Sequence, residues 1–99
     1  MLHTVNKSPF ENRSFETCLK FARQGSAVLL IEDGVYAAAR GTAVEPQVQE
    51  ALKSVAIYAL RPDVEARGMQ NRVMDGVRLV DYGGFVDLVA EHNAVQSWL

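Results

Sequence analysis

Short apolar runs alternate with helically spaced stripes along the chain, at intervals of roughly 25 residues. The apolar runs predict five strands, at residues 2–5, 27–31, 55–60, 77–81 and 95–99. The second run, AVLLI, has no polar alternation, which is typical of a strand covered on both faces in a parallel sheet.

The first helix is predicted from apolar residues at positions i, i+3, i+4 and i+7, in a stripe that stops at Gly25. The residues of that stripe are Phe15, Cys18, Leu19 and Ala22. Two starts compete for this helix. Ser8 precedes Pro9 and stands three residues before Glu11, as in a capping box, and Ser14 is a second candidate cap.

The later helices are predicted from helix-favouring residues and from the prolines and glycines at which helices begin and end. Alanine-rich residues 35–39 favour a short helix that Gly41 stops, and Pro46 opens the next helical stripe. Residues 61–68 predict a two-turn helix, with Pro62 early and Gly68 at its exit.

Within that two-turn helix, Asp63 and Arg67 stand four residues apart, and we expect them to pair. The last helix is predicted to follow Gly83 and Gly84, with four residues on one face. They are Phe85, Leu88, Val89 and His92.

Alternation of strands and helices predicts an α/β fold: a small doubly wound, mostly parallel sheet of about five strands with helices on both faces. No linker or repeat interrupts the 99 residues, so residues 1–99 are predicted to form a single domain.

Composition narrows the class of protein. The chain is 48% hydrophobic, and 10 basic against 12 acidic residues give a net charge of -2, with no basic cluster. We therefore expect no direct nucleic-acid contact. The apolar runs are too short to cross a bilayer, and no signal-peptide core is visible, so we predict a cytoplasmic protein with no membrane partner.

Ligands of such sheets bind beyond the carboxyl ends of the strands, which here means residues 6–8, 32–34, 61–63 and 81–84. None of these segments carries a glycine-rich phosphate loop directly after a strand, and one cysteine with two histidines gives a poor metal-ligand set. We expect no cofactor and no metal. The Asp33-Gly34 pair is typical of a tight strand-to-helix turn.

Cys18 is the only sulfur nucleophile of the chain, and two interpretations of it stay open. Its place in the apolar stripe favours an inert, buried thiol with a raised pKa. The alternative is a persulfide carrier, which needs an accessible thiolate.

For the histidines, the basic residues near the first helix and the tryptophan, we favour structural roles over functional ones. His3 lies in a predicted strand and His92 at a predicted helix end. Arg13, Lys20 and Arg23 are expected to form a solvated basic face, or a docking patch for an acidic partner. Trp98 needs a cover, which its own core or a subunit interface would supply equally well.

Five segments together resemble the DsrH/TusB family over essentially the whole chain. They are MLHTVNKSPF (1–10), LLIEDGVYAA (29–38), ARG (66–68), VDYGGFV (80–86) and QSWL (96–99). The resemblance implies the smallest of three homologous α/β subunits in a cytoplasmic heterohexamer, DsrEFH in sulfur oxidation or TusBCD in tRNA thiolation.

The implied partners are DsrE/TusD-like and DsrF/TusC-like subunits, and through them a DsrC/TusE-like sulfur acceptor. In this family the principal persulfide cysteine is expected on the DsrE/TusD-like chain, which leaves open whether this chain is itself an enzyme. Cys18 matches a first-helix cysteine of DsrH-type members, which favours the sulfur-oxidation branch over a TusB-like role in wobble-uridine 2-thiolation.

Two further hypotheses are an autonomous Cys18 thiol carrier and a small homo-oligomeric ligand-binding domain without a sulfur role. For the complex, we expect an apolar contact surface formed by Tyr36, residues 37–39 and Trp98.

Overall fold

A computed structural model describes residues 1–99. All five strands join one parallel sheet in the order β4-β3-β2-β1-β5. The strands are β1 (Leu2–Val5), β2 (Ala27–Leu30), β3 (Ala56–Leu60), β4 (Arg78–Val80) and β5 (Val95–Trp98). The predicted α/β fold with a parallel five-stranded sheet is confirmed.

Helical segments make every crossover. They are α1 (Ser14–Phe21), a 3-10 helix (Glu32–Ala38), α2 (Glu45–Ala51), α3 (Arg61–Ala66) and α4 (Tyr82–Glu91). The chain steps from β1 to β4 in one direction, then α4 carries it back across the sheet to β5. Because such crossovers are right-handed, the forward steps put their helices on one face and the return step puts α4 on the other.

The two faces bury very different cores. A cluster of 17 buried residues lies under the forward helices and includes Phe15, Val48 and Val64. The other face buries only four residues, among them Leu29 and Leu88 of α4. One helix packs on that face and leaves its margins open: Ala56 and Arg78 on one side and Val95 on the other are exposed. Strand β2 contributes to both cores and is buried at all four positions, as its unbroken apolar sequence predicts.

Of the two predicted starts of the first helix, the one at Ser14 agrees with the structure, although Ser14 is the first helical residue and not the cap, and the predicted end at Gly25 is wrong. The helix begins at Ser14, and Ser8 instead accepts a hydrogen bond from the Phe10 N–H at its Oγ (3.2 Å) in a separate turn. The helix ends at Phe21, and Gly25 lies in the following loop with φ +88°. The loop residues between the helix and β2 turn the chain before glycine is reached.

Residues 32–38 form a 3-10 helix, which begins earlier than the predicted alanine-rich helix. Gly34 explains the tight path: a Cβ at this position would lie 2.1 Å from the carbonyl oxygen of Val5. The segment therefore passes directly over the end of β1. The last helix also begins early, with Gly83 and Gly84 inside its first turn and Asp81 Oδ1 accepting from the Gly84 N–H (2.8 Å).

No helix of the structure is both long enough and apolar enough to span a bilayer.

We predict that Gly34→Ala lowers the free energy of unfolding by at least about 2 kcal/mol, because backbone must move to admit the methyl group. Chemical denaturation of the purified chain measures this. Gly83→Ala is the matched control: its Cβ meets nothing closer than the Asp81 Oδ1 at 3.4 Å, and the change should be small. Equal effects of the two substitutions would contradict the close approach at Gly34.

Candidate functional site

Cys18 lies on the inner face of α1, in the larger core and without solvent exposure. Burial raises the pKa of its thiol to about 12. The thiolate is the reactive form of cysteine, so at neutral pH this thiol is both protonated and inaccessible. In this arrangement a carrier role for Cys18 would require α1 to lift off the sheet.

At the carboxyl ends of β2 and β3, the charged side chains form ion pairs and hydrogen bonds within the protein. Arg67 donates from Nε (3.0 Å) and Nη2 (2.8 Å) to Asp33 Oδ1, and its guanidinium lies 6.0 Å from the ring centroid of Tyr36. The predicted pairing of Asp63 with Arg67 is wrong. The Asp63 carboxylate instead accepts a hydrogen bond from the backbone N–H of Glu32 (2.6 Å). Arg67 reaches Asp63 only at its backbone carbonyl and not at its carboxylate.

Glu32 explains that exchange of partners. Its φ of +49° is left-handed, which turns its N–H toward α3 as the chain leaves β2. Asp33 follows immediately and is brought within reach of Arg67. An acid whose charge is matched by an arginine, and a second acid that holds a backbone amide, do not form a free acid–base pair.

No cavity opens at this edge. One of the two clefts of the molecule lies at the amino ends of β3 and β4, and the other lies near the amino ends of β1 and β2 and is also lined by Gln96 and Trp98 of β5. Asn6 Oδ1, just beyond β1, is a buried oxygen without a hydrogen-bond partner. No three side chains of the His, Cys, Asp or Glu types lie close enough together to hold a metal ion.

A histidine of β1 and a tryptophan of β5 form a side-chain pair beside the end of α1. The indole Nε1–H of Trp98 donates to His3 Nδ1 (3.1 Å), and the indole stacks on Phe21 at 6.0 Å between centroids. His3 is buried, and burial lowers its pKa. Trp98 thus finds part of its cover on its own chain. His92 ends α4, with Nδ1 2.7 Å from the Leu88 carbonyl.

The three basic residues predicted on the first helix are all exposed, as expected for a solvated surface, but α1 is too short to carry all of them. Only Lys20 lies within the helix, and it contacts Glu16 at 3.8 Å. Arg13 and Arg23 flank the two ends and form no ion pair.

The expected apolar contact surface is present only in part: Tyr36 is 37% exposed and Trp98 is partly buried. Residues 37–39 are buried in the larger core, so they offer no contact surface.

Other exposed apolar side chains are scattered, at Met1, Phe10, Phe21, Val95 and Leu99, but three lie together on α4: Tyr82 is 61% exposed, Val86 66% and Val89 40%. Val89 was predicted to share a face with Phe85, Leu88 and His92, and that is wrong for Val89 alone: it is exposed, and it stands at i+7 from Tyr82 and i+3 from Val86. We call Tyr82, Val86 and Val89 the α4 stripe.

Comparison with known proteins identifies the family. A family model described as DsrH like protein matches residues 7–95. Protein TusB of Pectobacterium parmentieri is 40% identical over 99 residues, covering 99% of this chain and 100% of its own length. Protein TusB of Escherichia coli (strain K12 / DH10B) is 34% identical over 98 residues, with the same coverage. The chain belongs to the DsrH/TusB family.

Solved structures share the fold of this DsrH/TusB chain at low sequence identity. The ychN protein from E. coli superposes with a TM-score of 0.81 at 18% identity, covering 97% of both chains. MTH1491 from Methanobacterium thermoautotrophicum gives 0.78 at 17% identity, covering 97% of this chain and 96% of its own. The doubly wound architecture therefore recurs in proteins of very different sequence.

We predict that the native chain alkylates at Cys18 more than about a hundredfold slower than the same chain in denaturant, because both burial and protonation suppress the thiolate. Iodoacetamide labelling followed by intact mass measures the rate. The control is Lys20→Cys in a Cys18→Ala background, which places a thiol on the exposed side of the same helix. A native Cys18 rate close to that of the control would show that the thiol is accessible.

Proposed function

We propose that this chain is an architectural subunit of a heteromeric sulfur relay, in which persulfide passes through a cysteine of a partner subunit. The observation that carries the proposal is the burial of the only cysteine in a chain similar to TusB over its full length. Since the chain has neither an accessible thiolate nor a free acid–base pair, we infer that it acts through surface contacts with other subunits.

The partners in this proposal are homologous DsrE/TusD-like and DsrF/TusC-like subunits, in a heterohexamer. The α4 stripe supplies the contact. Its three apolar side chains face away from the sheet on the face where a single helix packs. Removing a valine or tyrosine of this kind from water stabilises an interface by about 1 kcal/mol or more. A neighbouring α/β subunit with an apolar helix would bury the stripe.

Sulfur delivery then runs from the DsrE/TusD-like cysteine to a DsrC/TusE-like acceptor. In this arrangement the present chain holds the relay subunits in register and contributes no sulfur-carrying atom. The autonomous-carrier hypothesis differs in one respect that experiment reaches directly: it requires Cys18.

Two pathways remain candidates, and different observations favour them. The first-helix cysteine favours sulfur oxidation, as in DsrH-type members. The names of the full-length relatives favour the TusB-like role in wobble-uridine 2-thiolation. Because Cys18 is part of the core, we give more weight to the relatives and propose tRNA thiolation, with sulfur oxidation as the second candidate.

We predict that Val86→Glu weakens binding to the two partner subunits at least about tenfold, because complex formation would bury a carboxylate in an apolar contact. Co-purification and isothermal titration measure the binding, and the stability of the isolated chain should stay within about 0.5 kcal/mol of wild type at this exposed site.

Ala43→Glu is the matched control for this substitution. It introduces the same charge at an exposed small residue before α2, a helix that packs on the opposite side of the sheet. Partner binding should be unchanged. Loss of binding in both variants, or in neither, would contradict a docking role for the α4 stripe.

We predict that deletion of the gene in its native host lowers the 2-thiouridine content of tRNA, and that a Cys18→Ala copy restores it. The reason is that the thiol packs and does not react. Mass spectrometry of digested tRNA measures the modification, and consumption of reduced sulfur compounds is followed in parallel.

The outcomes separate the hypotheses. Normal tRNA with impaired sulfur oxidation would select the DsrEFH-like pathway. Failure of a folded Cys18→Ala chain to restore function would overturn the architectural role and support Cys18 as a carrier.

A further inference from the structure

A cleft of about 360 Å³ opens beside the end of α1, between the amino ends of β1 and β2 and the Gln96 and Trp98 residues of β5. Its volume is in the lower part of the range of small-molecule sites, which is roughly 300–1,000 Å³. Nothing in the relay proposed above uses it. Trp98 and Phe21 form its aromatic wall, and Arg23 stands at its rim.

Two polar side chains reach into this cleft with unused hydrogen-bonding atoms. His3 is 4% exposed and Ser26 is 8% exposed, yet neither His3 Nε2 nor Ser26 Oγ has a partner within the protein. Both atoms are nevertheless open to solvent, since the only enclosed polar side-chain atom without a partner is Asn6 Oδ1. Because both atoms are reachable from the cleft, water or a bound ligand can complete their hydrogen bonding.

The histidine presents a donor to the cleft. An indole N–H only donates, so His3 Nδ1 must accept from Trp98 with its lone pair. The proton of the neutral ring then resides on Nε2. The lowered pKa of His3, caused by burial, agrees with a neutral ring.

Charge selects the class of ligand. Arg23 is the only charged side chain among the residues that line the cleft, and it forms no ion pair with any acid of the protein; the α-amino group of Met1, also in the lining, adds positive charge near His3. An imidazole N–H, a hydroxyl and a guanidinium suit a carboxylate, while the indole and phenyl rings suit a flat apolar group.

We propose that this cleft binds a small organic carboxylate with an aromatic or similarly flat apolar body, the carboxylate held by Arg23, His3 Nε2 and Ser26 Oγ. The site is independent of the relay role and of Cys18, so either one stands if the other fails.

The chain reports on its own site because Trp98 is its only tryptophan. The indole N–H resonance in a proton–nitrogen correlation spectrum of the full-length chain is followed during titration with phenylacetate, with the neutral phenylacetamide, and with sodium acetate. We expect phenylacetate to shift the resonance saturably and to bind at least about fivefold more tightly than either of the other two probes.

Substitutions avoid His3, which is part of the packed sheet. Arg23→Gln should raise the dissociation constant of phenylacetate at least about fivefold without changing that of phenylacetamide, and Ser26→Ala should weaken phenylacetate in the same direction. Arg13→Gln, at the other end of α1, is the control and should change neither.

Each contrary result decides against the proposal. No saturable shift with any probe would remove the site. Equal affinity for phenylacetate and phenylacetamide would remove the carboxylate specificity, and equal affinity for acetate would remove the aromatic part. Identical behaviour of Arg23→Gln and Arg13→Gln would place the binding elsewhere.

Discussion

Strand β2 pairs in parallel with β1 on one side and with β3 on the other, and every one of its residues is buried. A strand of this kind needs cover on both faces, and parallel neighbours need long right-handed crossovers. The helices of the forward crossovers therefore all pack on one face of the sheet, while the single return helix, α4, packs on the opposite face. This constraint determines which side chains of the molecule are hidden and which are exposed.

The need to cover both faces of the sheet also explains why Cys18 is inert and why α4 carries exposed apolar residues. Helix α1 must press its apolar stripe onto the sheet, and Cys18 belongs to that stripe, so the thiol enters the core and its pKa rises. Helix α4 needs only one side to cover its face, yet it is apolar on a second side as well. An inert cysteine and an unpartnered helix face are what an architectural subunit requires, and neither serves an independent thiol carrier.

Local patterns predicted the strands well, because continuous apolar runs have few alternatives in a chain of this length. They failed where tertiary contacts decided the outcome. Ser8 has every residue of a capping box, but the helix begins at Ser14 after a separate turn. Asp63 stands four residues before Arg67, but its carboxylate binds the backbone N–H of Glu32, which has a left-handed conformation. Arg67 pairs with Asp33 instead.

The candidate sites show the same limit. Burial of Cys18 follows from helical spacing, and the resemblance to the family came from ordered motifs along the whole chain. The cleft beside His3 joins residues from both ends of the chain, since β5 pairs with β1, and no local pattern brings Trp98 to His3.

Hydrogen–deuterium exchange of the chain, alone and with the two homologous subunits proposed as its partners, tests whether α4 is the docking surface. We expect binding to slow exchange in α4 and to leave the amides of α1 around Cys18 unchanged. Slower or faster exchange concentrated in α1, with α4 unaffected, would contradict this role of α4, because the functional surface would then be the helix that carries the cysteine.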